Sequence, residues 1–147
     1  MTLRIFRAAL LLALAFAGAV PPARAVDPPS ASDAEKAAET AARGWLALVD
    51  AGRYGESWDA AASLFRSALT RPQWDAALEK VRRPLGSVSS RKLLSAQFAT
   101  ELPNAPKGDY FVIQFGTDFE HKAGAVETIT PAKDRDGTWR VSGYFIK

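Results

Sequence analysis

Residues 109–117 read DYFVIQFGT, with Phe111, Ile113 and Phe115 separated by Val112 and Gln114. A large apolar side chain at every second position is the pattern of a strand with one buried face. Turn chemistry bounds it on both sides: Pro103-Asn104-Ala105-Pro106-Lys107-Gly108 precedes it and His121-Lys122-Ala123-Gly124 follows. Working outward, further strands are expected over 88–100, 125–133 and 138–146, the last two separated by Asp134-Arg135-Asp136-Gly137. On the final strand Trp139, Val141 and Phe145 form the expected inward face.

Before Gly86 the apolar period lengthens to about 3.6 residues, the period of a helix. Ser32-x-x-Glu35 has the form of a capping box, and Ala34, Ala38, Ala41, Trp45 and Leu48 give the helix after it an apolar face ending at Gly52. Tyr54, Trp58, Ala61, Phe65 and Leu69 continue the spacing in a second segment, with Ser63 as its weak point. A third helix opens at Thr70 with Pro72 in its first turn, carries Trp74, Leu78, Val81 and Leu85, and stops at Pro84 and Gly86. Helices first and an antiparallel meander second give an α+β class: three N-terminal helices packed on one face of a curved four-stranded antiparallel sheet.

The first 25 residues read as a secretory signal peptide: basic Arg4 and Arg7, an uncharged run over 8–20, and Ala23-Arg24-Ala25 as the cleavage site. Cleavage between Ala25 and Val26 removes three arginines and no acid, so the formal net charge of +3 falls to zero. A neutral mature chain has no general footprint for nucleic acid, and no stable membrane anchor is expected after signal removal. The protein is expected in the periplasm or the medium, with residues 26–31 as a leader and 32–147 as one domain. The absence of Cys excludes disulfides, a thiol nucleophile and lipid attachment at a lipobox, so stability must come from a packed core.

These residues carry a resemblance. Trp45 with Asp50, Tyr54 with Ser57-Trp58, Phe65, Trp74, Arg83 with Leu85-Gly86, Arg91, Leu102-Pro103, Gly108-x-Tyr110, Glu127 and the closing Gly137-x-Trp139-Arg140-Val141-x-Gly143-Tyr144-Phe145-Ile146 run are similar to the bacterial family catalogued as domain of unknown function 4019. The resemblance implies an exported bacterial protein and a cone-shaped fold similar to nuclear transport factor 2 or ketosteroid isomerase. It implies no activity, because such a fold hosts binders and enzymes alike.

Most catalytic chemistry lacks its residues. His121 is the only histidine and falls in a hairpin loop, where solvated surface is the plain reading; with no Cys, three or four metal ligands would have to be carboxylates, so no metal and no cofactor are expected. Asp134-Arg135-Asp136-Gly137 resembles a calcium loop only superficially, since alignment on its Gly puts Ala132 and Gly143 at ligand positions. Gly52-Arg53-Tyr54-Gly55 lacks the spacing and the Lys of a phosphate loop. The four tryptophans fall on apolar stripes and read as core rather than as a stacking surface. Arg82-Arg83 with Arg91-Lys92 read as solvated cations near a helix end.

One constellation remains. Closing the hairpins at the named turns brings Arg91 to Asp118, Thr117 to Glu127 and Tyr144 to Glu127, a cluster of Arg91, Asp118, Glu127 and Tyr144 at one end of the sheet. It reads either as a structural ion network or as a ligand-anchoring site. The expected function is an exported, non-enzymatic module binding a small ligand or an envelope protein. The alternatives are a small pocket enzyme of hydrolase or isomerase type with Glu127 or Asp118 as base, and a structural envelope component.

Overall fold

The computed structural model describes residues 31–147; the expected signal peptide, its expected cleavage site and all but the last residue of the expected leader lie outside that range. Helix α1 (Ala31–Asp50) is followed by α2 (Tyr54–Asp59), α3 (Ser63–Ala68), α4 (Arg71–Val81) and a 3-10 turn (Arg83–Leu85). Strands β1 (Val88–Ala99), β2 (Tyr110–Phe119), β3 (Lys122–Lys133) and β4 (Trp139–Ile146) then form an antiparallel meander in the order β1-β2-β3-β4.

There are thus four α-helices among the described residues, not three. The expected second helix breaks because Ala62 turns extended and donates its N–H to the Val141 carbonyl at 2.8 Å, which ties the chain to β4. Helix α1 already includes Ser32, the expected cap. It ends as expected: Gly52, at φ +71°, donates to Val49, and Arg53 donates back to Leu48 at 2.9 Å. Helix α4 starts on a complete capping box between Thr70 and Gln73.

The helices cover one face of the sheet and bury Phe111, Ile113, Phe115, Ile129 and Val141 against Leu46, Trp45 and Trp74. The buried face of α1 is centred on Ala38, Ala42, Trp45 and Val49, while Ala41 and Leu48 are only half-buried. On α4 the expected stripe also shifts, with Trp74 and Leu78 buried and Val81 exposed. Arg82 takes the inward position, held by charge and by its contact with Phe119.

All three strand pairings carry register irregularities, two of them in β1–β2, and one in each of the other pairings changes the expected inward faces. The β3–β4 register moves from Thr130↔Gly143 to Pro131↔Val141, leaving Ser142 extra on β4. Its hydroxyl donates to the Thr130 carbonyl at 2.8 Å. One extra residue reverses the alternation beyond it, so Tyr144 turns inward and Phe145, expected inside, is 60% exposed. The second bulge, in the β2–β3 hairpin, bears directly on the expected site.

Candidate functional site

Arg91, Thr117, Glu127 and Tyr144 come together at one end of the covered face. Arg91 pairs with Thr117 across β1–β2, and Glu127 pairs with Phe115 across β2–β3, one diagonal step from Thr117. Glu127 is fully buried. One of its oxygens accepts from Arg91 Nε at 2.7 Å and from the Thr117 hydroxyl at 2.6 Å. The other accepts from the Tyr144 hydroxyl at 2.6 Å and from Arg91 at 3.2 Å. Every lone-pair direction of the carboxylate is used, so it is satisfied without water.

Two members escaped the sequence reading. Asp50, at the end of α1, accepts two bonds from Arg91 at 2.7 and 3.0 Å, and also one from Arg82 at 3.0 Å. Arg82 is buried rather than solvated; it donates to the Gly86 carbonyl at 2.7 Å and lies over the Phe119 ring. Two arginines against two carboxylates leave the network neutral. No spacing rule links positions 50, 82 and 91, since they meet only through tertiary packing. Burial alone would lower the Arg91 pKa, but its hydrogen bonds to Asp50 and Glu127 outweigh that and raise it. Tyr144 is pushed well up, first by burial and then by the neighbouring Glu127 charge.

Asp118 does not join the cluster. It pairs with Ser90 and is exposed, while its neighbour Thr117 turns inward. The β2–β3 hairpin closes at Glu120-His121, earlier than expected, and a bulge follows in which Gly124 sits at φ +66°. Asp118 accepts the Gly124 N–H at 2.7 Å and the Ser90 hydroxyl at 3.0 Å. These bonds, the Gly124 one foremost, hold its pKa below the usual carboxylate value.

Of the other expectations, His121 is exposed in that turn, 3.9 Å from Glu120. Among the described residues no group of three or more His, Asp and Glu is placed to hold a metal ion. Asp134-Arg135-Asp136-Gly137 is a hairpin turn in which the Asp134 N–H donates to the Thr138 carbonyl. Asp134 also accepts from the Ser63 hydroxyl at 2.6 Å and the Ser63 N–H at 3.0 Å, and Arg140 clasps Asp136 at 2.7 and 2.8 Å.

The Ser63 hydroxyl, then the Ser63 and Arg135 N–H groups, bring the Asp134 pKa down to about 2. Arg140 and Thr138 lower that of Asp136. A carboxylate depressed on folding contributes stability that is full above its unfolded pKa, about 4, and lost as pH falls through the folded value. Urea unfolding from pH 4 down to 2 should therefore show the gap between the wild type and Asp134→Asn closing. A gap that stays constant over that range would contradict the assignment.

With this geometry in place, the family can be stated: residues 41–144 match the family described as protein of unknown function (DUF4019), and the chain belongs to it. No curated protein and no solved structure matches the chain.

Proposed function

We propose that this chain is an exported, non-enzymatic module of the bacterial envelope that binds a small ligand. The observation that carries the reading is the closure of the Glu127 site. Its carboxylate is fully buried, bonded by Arg91, Thr117 and Tyr144, and lines none of three surface clefts of about 370 to 490 Å³. A general base needs a free lone pair aimed at the proton it removes. Glu127 has none to offer, and the Tyr144 hydroxyl is spent on it. The cluster is thereby read as an internal strut joining α1 to all four strands.

The covered side of the sheet is filled by Trp45, Trp74, Phe115 and Tyr144, packed ring against ring at 5.3 to 6.4 Å among Trp45, Trp74 and Tyr144. A cone-shaped fold similar to nuclear transport factor 2 remains our reading of the architecture, with its interior given to packing. Binding then belongs to the surface clefts, whose volumes of about 370 to 490 Å³ suit small molecules. The exposed large apolar side chains of the sheet, Leu93, Leu94 and Phe98 on β1 and Phe145 on β4, are divided between opposite edge strands, and exposed apolar residues are ordinary on a protein surface unless gathered in one large patch. They give a protein-docking role or a purely structural envelope role little support.

Native mass spectrometry of the protein recovered from periplasm and medium tests the proposal. The expected species begins at Val26 and carries a small molecule that is chemically unchanged after prolonged incubation. Retention of residues 1–25, conversion of the bound compound into a product, or a protein free of any bound species would each overturn it.

A further inference from the structure

We propose that the two-lobed cleft between α3 and the far ends of the β1–β2 and β3–β4 hairpins takes a small ligand bearing a carboxylate or phosphate group. This deepens the binding-module reading and rests on it. The cleft lies at the opposite end of the sheet from Glu127: Ala132 and Lys133 line it, five and six residues along β3, a separation of about 16 to 20 Å at strand spacing.

The larger lobe, about 490 Å³, has an apolar wall that includes Leu64, Pro106 and Tyr110, and carries Lys107, Lys133 and Arg135. The second, about 420 Å³, shares Ser63, Asp134 and Arg135 with it and adds Arg66 and Arg140. Most lining acids are already engaged. Asp134 accepts from Ser63, Arg135 N–H and Arg140; Asp136 is clasped by Arg140; Asp59 faces Arg71 at 3.3 Å.

The cations are not engaged in the same measure. Lys133, Arg135 and Arg66 form no ion pair among the described residues, and Asp109 is the one lining carboxylate left outside the pairs. Arg135 stands where the lobes meet, with its neighbour Asp134 locked by Ser63 on one side and Arg140 on the other. A concave site with surplus positive charge concentrates anions, and a guanidinium offers paired donors that match a carboxylate or phosphate. The apolar wall fits the carbon body of such a ligand.

The test is a titration of the isotope-labelled protein followed by amide NMR, using citrate, inorganic pyrophosphate and, as a neutral control, glucose at constant ionic strength. Expected are saturable shifts confined to amides of 63–67, 107–110 and 132–135, with a Kd of about 0.1 to 1 mM for at least one anion. Lys133→Gln combined with Arg135→Gln, both exposed positions, should weaken that binding at least about tenfold without moving the unfolding midpoint. Response to citrate alone assigns the site to carboxylates, and response to pyrophosphate alone assigns it to phosphates. No saturable shift with either anion, or shifts indifferent to the double substitution, would overturn the proposal. Equal shifts with glucose would remove the anionic class while leaving a binding cleft, and so the module reading, standing.

Discussion

Replacing Arg91 with Met is expected to cost about 3 to 5 kcal/mol of stability, because it leaves the fully buried Glu127 carboxylate without its counter-charge. Thr117 and Tyr144 would still donate to Glu127, and Asp50 would keep Arg82, so the loss concentrates on one buried anion. Adding Glu127→Gln removes that anion and should recover about 1 to 3 kcal/mol, a coupling of the size found between residues in one hydrogen-bonded network. Urea unfolding followed by circular dichroism gives both numbers. A loss below about 1 kcal/mol for Arg91→Met, or no recovery in the double variant, would mean the cluster is not a strut. The site would then have to be reconsidered as one kept for binding.

That cluster was legible in part, and the reason is hairpin register. Once two turns are placed, pairing carries Arg91 to the level of Thr117 and Glu127 to the level of Phe115, within a residue or two of the expected positions. The same logic misplaced Asp118, because residues adjacent in a strand face opposite sides and an error of one residue changes the face. The sequence places Gly124 in the turn; in the structure it belongs to a bulge inside β3, and Asp118 accepts its N–H. Asp50 was visible only as a family-like position and Arg82 only as a surface cation. Their meeting depends on how α1 and α4 dock, which no local period encodes.

The fold shows the same division between local and tertiary signals. Strand number, order and most limits followed from the change of period at Gly86 and from the Pro, Asn, Asp and Gly turns. The bulge at Ser142 was invisible, since the alternation of Trp139, Val141 and Phe145 continues through it in sequence while the backbone does not. That bulge turns Tyr144 to Glu127, so one irregular residue both spoiled the expected inward face and completed the network. The break between α2 and α3 is of the same kind: Ala60, Ala61 and Ala62 suit a helix, and the Val141 carbonyl overrides that preference.

The tryptophans, which sequence spacing treats alike, are expected to separate by energy. Trp45 is 3% exposed, donates its ring N–H to the Ser57 carbonyl at 2.7 Å, and contacts the Trp74 and Tyr144 rings at 5.7 and 5.3 Å. Trp45→Ala would open a cavity at the junction of α1, α2, α4 and β4, at a cost of about 3 to 5 kcal/mol. Trp45→Phe keeps most of the apolar volume but strands the buried Ser57 carbonyl, a loss of about 1 to 3 kcal/mol. Trp58 is only half-buried at the edge of the core, and its N–H bond to the Leu69 carbonyl at 2.8 Å lies nearer the surface. Trp58→Ala should therefore cost less than about half as much as Trp45→Ala, by the smaller apolar area returned to water. Chemical unfolding of the three variants tests the ranking. Equal losses for Trp45→Ala and Trp58→Ala would place Trp58 in the core proper, and would mean that α2 packs onto the sheet more deeply than its contacts indicate.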